Sequence, residues 1–241
     1  MSEGTTPTEA ITEVPGTPEI PARFAAAFGD WRPQAIVFDC DGLLLDTESI
    51  WQITEDRVVT AHGALLEEGD AALLHGSTLE AAAELIARRS GHDEQTVRAD
   101  LHREFDRELA GGIRTLPGAA EILRWAGAKV PLGCASNSWL DSLEDKLRLG
   151  GLREHFTVLE ASDTVERPKP APDMYAAAAR ALGVDPAQAL AFEDSGTGAQ
   201  AARDAGLRLI AVPTGGHPAP PADLALTTLT DPDLRAWIAT W

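Results

Sequence analysis

Four short segments carry residues that could act together on a charged substrate. The first, Asp39-Cys40-Asp41-Gly42, follows the apolar run Ala35-Ile36-Val37-Phe38 and sets two carboxylates at the mouth of an expected buried strand. An unpaired carboxylate inside a core must either take up a proton or cost several kcal/mol, so such a pair belongs where it meets water or a cation. The second, Ser136-Asn137-Ser138, offers hydroxyls and the N–H groups that open the next helix, a natural cradle for an anion. The third, Arg167-Pro168-Lys169-Pro170, holds a lysine between prolines on what reads as a stiff extended segment. The fourth, Glu193-Asp194-Ser195-Gly196, adds two adjacent acids.

Hard carboxylate oxygens suit Mg²⁺, which binds through a few carboxylates and keeps several waters. A lysine with backbone amides suits a phosphate. In one pocket, Asp39 can attack as a carboxylate nucleophile and form an aspartyl-phosphate. The cation and Lys169 then neutralise the phosphoryl oxygens from two sides. Asp41 protonates the leaving oxygen and later deprotonates the water that hydrolyses the intermediate.

Each segment alone has a plainer account. Asp-Gly is an ordinary turn signal, Ser-Asn-Ser can cap a helix, and most lysines are solvated. Two acids ahead of a helix are favoured by its positive end. Their order joins them: acid pair, hydroxyl, lysine, acid pair, each placed after an expected strand. In an open parallel sheet, ligands bind beyond the carboxyl ends of the strands.

The elements that must position these groups alternate. Strand Ala35–Asp39 comes first. Helix 118–127, strand Val130–Ala135, helix Trp139–Leu149 and a short strand near Thr157–Leu159 come later. Helix 172–182, strand Ala189–Phe192, helix Gly196–Ala205, strand Leu207–Val212, a Pro-rich loop (213–221) and a terminal helix around Leu234–Ile238 complete the chain. Strands separated by helices imply right-handed crossovers in a parallel sheet covered on both faces. Residues 47 to about 110 show helical periodicity only, with Ala81, Leu85 and Ile86 on one face and Val97, Leu101, Phe105 and Leu109 on another. The fold class is therefore α/β, a Rossmann-like parallel sheet core with an inserted helical cap domain. The core takes 34–46 and 114–241, and the cap takes 47–113. Residues 1–33, rich in Thr, Pro, Glu and Ala, read as a mostly disordered extension with a short helix around Phe24–Phe28.

Composition narrows the partners. The formal charge of −18, from 20 basic and 38 acidic residues, argues against non-specific nucleic-acid binding. No apolar run approaches the roughly 20 residues of a membrane span. Cys40 and Cys134 do not make a secreted disulfide scaffold and read as buried, inert thiols. With no charged-then-apolar leader at the start, the expected setting is a reducing cytoplasm, and a monomer is expected.

The run from Phe38 to Glu48, FDCDGLLLDTE, resembles the opening motif of the haloacid dehalogenase superfamily. Ser136-Asn137, Lys169 and Glu193-Asp194 resemble its other three motifs, in order, over about 34 to 230. The helical insertion after the first motif is similar to the subgroup of β-phosphoglucomutase and small sugar-phosphate phosphatases. The resemblance implies Mg²⁺ as cofactor, Asp39 as nucleophile and metal ligand, and Asp41 as acid/base and, through its carbonyl, a ligand. Asp194 completes the protein ligands, and Glu193 is a further ligand or an acceptor behind them. Ser136, the Asn137 amide and Lys169 bind phosphate. Asp46, Thr47 and Glu48 start the cap at one hinge beside Trp51, with Gly111–Pro117 as the other.

A dehalogenase has no need of the second acid Asp41, so phosphoryl transfer is expected. Where the mutase carries a cap histidine this chain has Trp51, and where it carries a cap-loop arginine the chain has Leu79 in Gly76-Ser77-Thr78-Leu79. A phosphatase acting on a small phosphorylated metabolite, a sugar phosphate, is favoured over a phosphosugar mutase. A non-catalytic binder is the alternative from another class. His62, His75, His92 and His102 read as surface or satisfied cap residues, and His217 as a loop residue. Trp51 reads equally as hinge packing or substrate contact.

Overall fold

A computed structural model describes residues 19–74, 78–214 and 218–241. The expectations for residues 1–18, for His75 and Gly76-Ser77 of the cap loop, and for His217 lie outside the described residues. In chain order, α1 (Ala22–Phe28) leads to β1 (Ala35–Phe38). Helices α2 (Thr47–Ala61), α3 (Asp70–Leu74), α4 (Leu79–Ser90) and α5 (Glu94–Ala110) follow. The chain returns through α6 (Ala119–Gly127), β2 (Leu132–Ala135), α7 (Leu140–Leu149) and β3 (Val158–Glu160). It closes with α8 (Asp173–Ala181), β4 (Ala189–Glu193), α9 (Gly196–Asp204), β5 (Arg208–Ala211), β6 (Leu224–Ala225) and α10 (Pro232–Ala239).

The six strands form one parallel sheet in the order β3-β2-β1-β4-β5-β6. Strand β1 is central and wholly buried, which explains why its sequence is apolar without alternation. Ile36 and Phe38 face one core with Ile122, Leu123, Leu143 and Leu147 of α6 and α7. Val37 faces the other, with Tyr175 and Ala178 of α8 and Ala199 and Ala202 of α9. Phe38 is in register with Cys134 on one side and Phe192 on the other. The chain steps outward from β1 in both directions, so this is the topological switch point, where open sheets bind ligands. Asp39, Ser136 and Glu193 all leave the sheet at this edge.

The cap is α2 to α5. Val58, Ala83, Ile86, Val97 and Leu101 give it a small core of its own, and Ile50, Phe105 and Leu109 pack together near its base. Its two connections run side by side. Leu116 N–H donates to Leu44 O at 2.8 Å and Asp46 N–H to Arg114 O at 2.9 Å. The Asp46 carboxylate caps α2 through Ser49 N–H at 3.2 Å and pairs with the Arg114 guanidinium.

Two expectations change. The helix around Phe24–Phe28 is present as α1, but residues 20–33 are not a loose extension: Phe24 and Phe28 are buried in the main core. Phe24 stacks on Trp237 of α10 at 4.9 Å between centroids, and Arg23 pairs with Asp231 and Asp233. The prolines that read as disorder precede α1, and only the aromatic spacing hinted at burial. The sheet also gains β6, whose two residues are too few to carry a periodic signal.

Candidate active site

Lys169 is the hub of the site. Its side chain is 4% exposed, and its ammonium donates to Asp39 Oδ1 at 2.5 Å and to Glu193 Oε1 at 2.6 Å. Tyr175, from α8, donates its hydroxyl to the same Glu193 oxygen at 2.7 Å and presents its ring to the ammonium, 5.0 Å from the centroid. The other Glu193 oxygen accepts from Ser195 N–H and Oγ at 3.3 and 3.0 Å. The segment carrying Lys169 is a turn, not the extended stretch expected: Ala171 N–H donates to Pro168 O at 3.0 Å, and the Lys169–Pro170 peptide is cis.

Burial, backed by the charges of Glu193, Asp194 and Asp41, pushes Asp39 well above the ordinary carboxylate range against the pull of Lys169. Burial and Glu193 raise Asp194 to about 7. Burial alone would lower Lys169, but the two carboxylates beside it outweigh that and hold its pKa up. The cluster thus carries more negative charge than one lysine offsets.

Asp41 points elsewhere. Its carboxylate pairs with the ammonium of Lys146, a buried residue of α7. Its Oδ2 accepts from Ser136 Oγ at 2.8 Å and Ser138 Oγ at 3.2 Å. Burial tends to raise this acid, but Lys146 and the two hydroxyls prevail and hold it below its usual value. The two acids of the opening motif therefore answer to two different lysines.

Ser136, fully buried, spends its hydroxyl on Asp41. The Asn137 amide binds the Lys169 backbone twice, donating to its carbonyl at 3.1 Å and accepting from its N–H at 3.0 Å, which ties the second and third segments together. Asp46, Thr47 and Glu48 occupy the N-cap and first turn of α2. Trp51 stacks on Phe105 of α5 at 4.3 Å. His62 bonds Asp100 through Nε2 at 2.8 Å and meets His92 edge-on, while its buried Nδ1 has no partner among the described residues, so it is not the fully satisfied histidine expected.

Ser138 belongs to the second sequence segment, whereas no motif in the sequence singles out Tyr175 or Lys146. Tyr175 is the only tyrosine of the chain, and Lys146 is one of three lysines in a chain that otherwise uses arginine. That rarity was the available signal. Their helical positions gave no reason to look toward the strand ends.

The residues present fit a hard divalent cation. Asp39, Glu193 and Asp194 each bring a carboxylate oxygen within 4.8 Å of the others. The raised pKa values of Asp39 and Asp194 mark charge that a cation would compensate. Gly42 keeps the approach to Asp194 open: it adopts φ +79°, and a Cβ there would collide with Asp194 Oδ2.

The chain matches the model of haloacid dehalogenase-like hydrolases over residues 36–212. Fructose-1-phosphate phosphatase YqaB of Escherichia coli is 30% identical over 183 residues, 75% of this chain and 97% of the relative. Protein CbbY of Cereibacter sphaeroides is 34% identical, across 75% of this chain and 84% of its own. The crystal structure of CbbY from Rhodobacter sphaeroides in complex with phosphate superposes with a TM-score of 0.65 at 32% identity, covering 82% of this chain and 95% of that one. With its motifs gathered at one sheet edge and a match across most of its length, the chain belongs to the haloacid dehalogenase-like hydrolase family.

Proposed function

We propose that the chain is a Mg²⁺-dependent phosphatase that hydrolyses a small sugar phosphate through an aspartyl-phosphate on Asp39. The observation that carries this reading is Asp39 itself: a buried carboxylate at a strand end, 2.5 Å from Lys169 and clustered with Asp194. The E. coli relative named for fructose 1-phosphate supports the substrate class.

Asp39, Asp194 and the Asp41 carbonyl would hold the Mg²⁺, which would supply charge neutralisation at the phosphoryl group. Glu193 accepts hydrogen bonds on both oxygens and serves to hold Lys169 rather than the metal. Lys169 and the backbone N–H of Asn137 bind the phosphate, beside Ser136, whose hydroxyl donates to Asp41. One Asp39 oxygen attacks phosphorus while Asp41, carrying the proton it took from water when the preceding intermediate was hydrolysed, gives that proton to the departing sugar oxygen. Water then attacks the intermediate, its proton passes to Asp41, and Asp39 leaves as a carboxylate. The cap, hinged at Asp46–Thr47 and 111–117, closes over the substrate and excludes bulk water. The mutase reading is weaker, because Trp51, packed on Phe105, brings no ionisable group to Asp41.

Hydrolysis of p-nitrophenyl phosphate and fructose 1-phosphate, with Mg²⁺ and with EDTA, tests this. Turnover should vanish in EDTA and fall by about 10³-fold or more in Asp39→Asn. No hydrolysis under any condition would instead mark a binder. Sugar phosphate isomerisation without phosphate release would mark a mutase.

A further inference from the structure

Lys146 is buried more deeply than its pairing alone explains. It lies in α7 with 2% of its surface exposed, between Leu143 and Leu147, which both enter the main core. An apolar side chain of similar length would suit this place at least as well, since a buried ion pair seldom stabilises more than the hydrophobic residues that could replace it. What Lys146 does uniquely is hold Asp41. Its ammonium pairs with Asp41 Oδ1 and donates to Ser138 Oγ at 2.6 Å. Ser138 and Ser136 in turn donate to Asp41 Oδ2. Both carboxylate oxygens are thus fixed from below by a lysine and two hydroxyls, while the Asp41 side chain stays 32% exposed on its remaining face. Proton transfer depends on such placement, because a donor or acceptor must lie within hydrogen-bond reach of the reacting oxygen.

We propose that Lys146 is a positioning residue for Asp41, with Ser138 as the strut between them, and that it sets the rate at which water hydrolyses the aspartyl-phosphate. This rests on the role given to Asp41 above. In that step the water oxygen bonds to phosphorus and a water proton passes to the Asp41 carboxylate. The bond from phosphorus to the Asp39 oxygen breaks, and its electron pair returns to Asp39. A carboxylate free to rotate would seldom meet that proton.

The partial reactions of p-nitrophenyl phosphate test it. Nitrophenolate leaves without a proton, so formation of the intermediate does not need Asp41, whereas its hydrolysis does. In rapid mixing with Mg²⁺, Lys146→Met should keep its nitrophenolate burst within about threefold of the parent rate while steady turnover falls about 10- to 100-fold. A purely structural role would slow both together, and an idle residue would slow neither; either result overturns the proposal. If Lys146→Met fails to fold, Ser138→Ala removes the strut without unpairing a buried charge, and should show the same split at about threefold or more. Equal effects on burst and turnover in that variant would also overturn it. Asp41→Asn separates the two readings. If it shows no split, the role of Asp41 itself is wrong; if it shows one while Lys146→Met and Ser138→Ala do not, only the inference about Lys146 fails.

Discussion

Gly198 lies against Glu193 so closely that a β-carbon on the glycine would fall inside the carboxyl group. The glycine sits in the first turn of α9, where its N–H donates to Ser195 Oγ at 3.0 Å. That hydroxyl donates onward to Glu193. The helix start is thus packed directly against the acid that holds Lys169. Gly198→Ala should push Glu193 off this seat and loosen Lys169 beside Asp39. Overpacking of this kind costs about 1–3 kcal/mol, and a misplaced catalytic group can cost about 10²-fold in rate. Urea melts and kcat with p-nitrophenyl phosphate measure both, and a variant with parental values of each would show that the contact is not constraining.

This contact marks the boundary of what could be read beforehand. Asp39, Asp41, Lys169, Glu193 and Asp194 were legible because charge at the end of an apolar run is locally improbable, and because four such breaks recurred in one order. The parallel sheet was legible because β1, β2, β4 and β5 are short apolar runs separated by helical spacing. The direction each acid faces was not. Asp39 and Asp41 are two residues apart, yet one is bound by a lysine on the loop before α8 and the other by a lysine within α7. That division is made by tertiary packing between residues more than a hundred positions apart. Likewise α1 is short and follows a proline-rich stretch, and its place is fixed by Trp237 at the far end of the chain.

Phe24→Ala tests whether α1 belongs to the core. The ring is fully buried, stacked on Trp237, and Phe28 stacks on the same indole at 4.8 Å. Removing a buried phenylalanine costs about 3–5 kcal/mol. Because the rings that Phe24 packs on are those of Phe28 and Trp237, neither of them in the acid cluster, KM and kcat at moderate temperature should stay within about twofold of the parent while the urea midpoint drops sharply. A midpoint that does not move would mean that α1 adds nothing to the folded domain.

Glu55 gives a pH dependence whose sign is fixed by its surroundings. It lies on α2 with 7% of its surface exposed and makes no hydrogen bond among the described residues. Burial, helped by the charge of Asp56, raises it from 4.5 to about 7. Between these two values the folded chain holds a proton that the unfolded chain has released, so the contribution of Glu55 to stability falls as pH rises through that window and levels off above it. Glu55→Gln cannot ionise and escapes this loss. The variant should therefore gain stability relative to the parent as pH rises from about 4.5 to about 7, with no further gain beyond. Thermal melts of both proteins across that range measure the difference. A difference that shrinks with rising pH would mean that the Glu55 carboxylate is stabilised in the fold by a cationic partner.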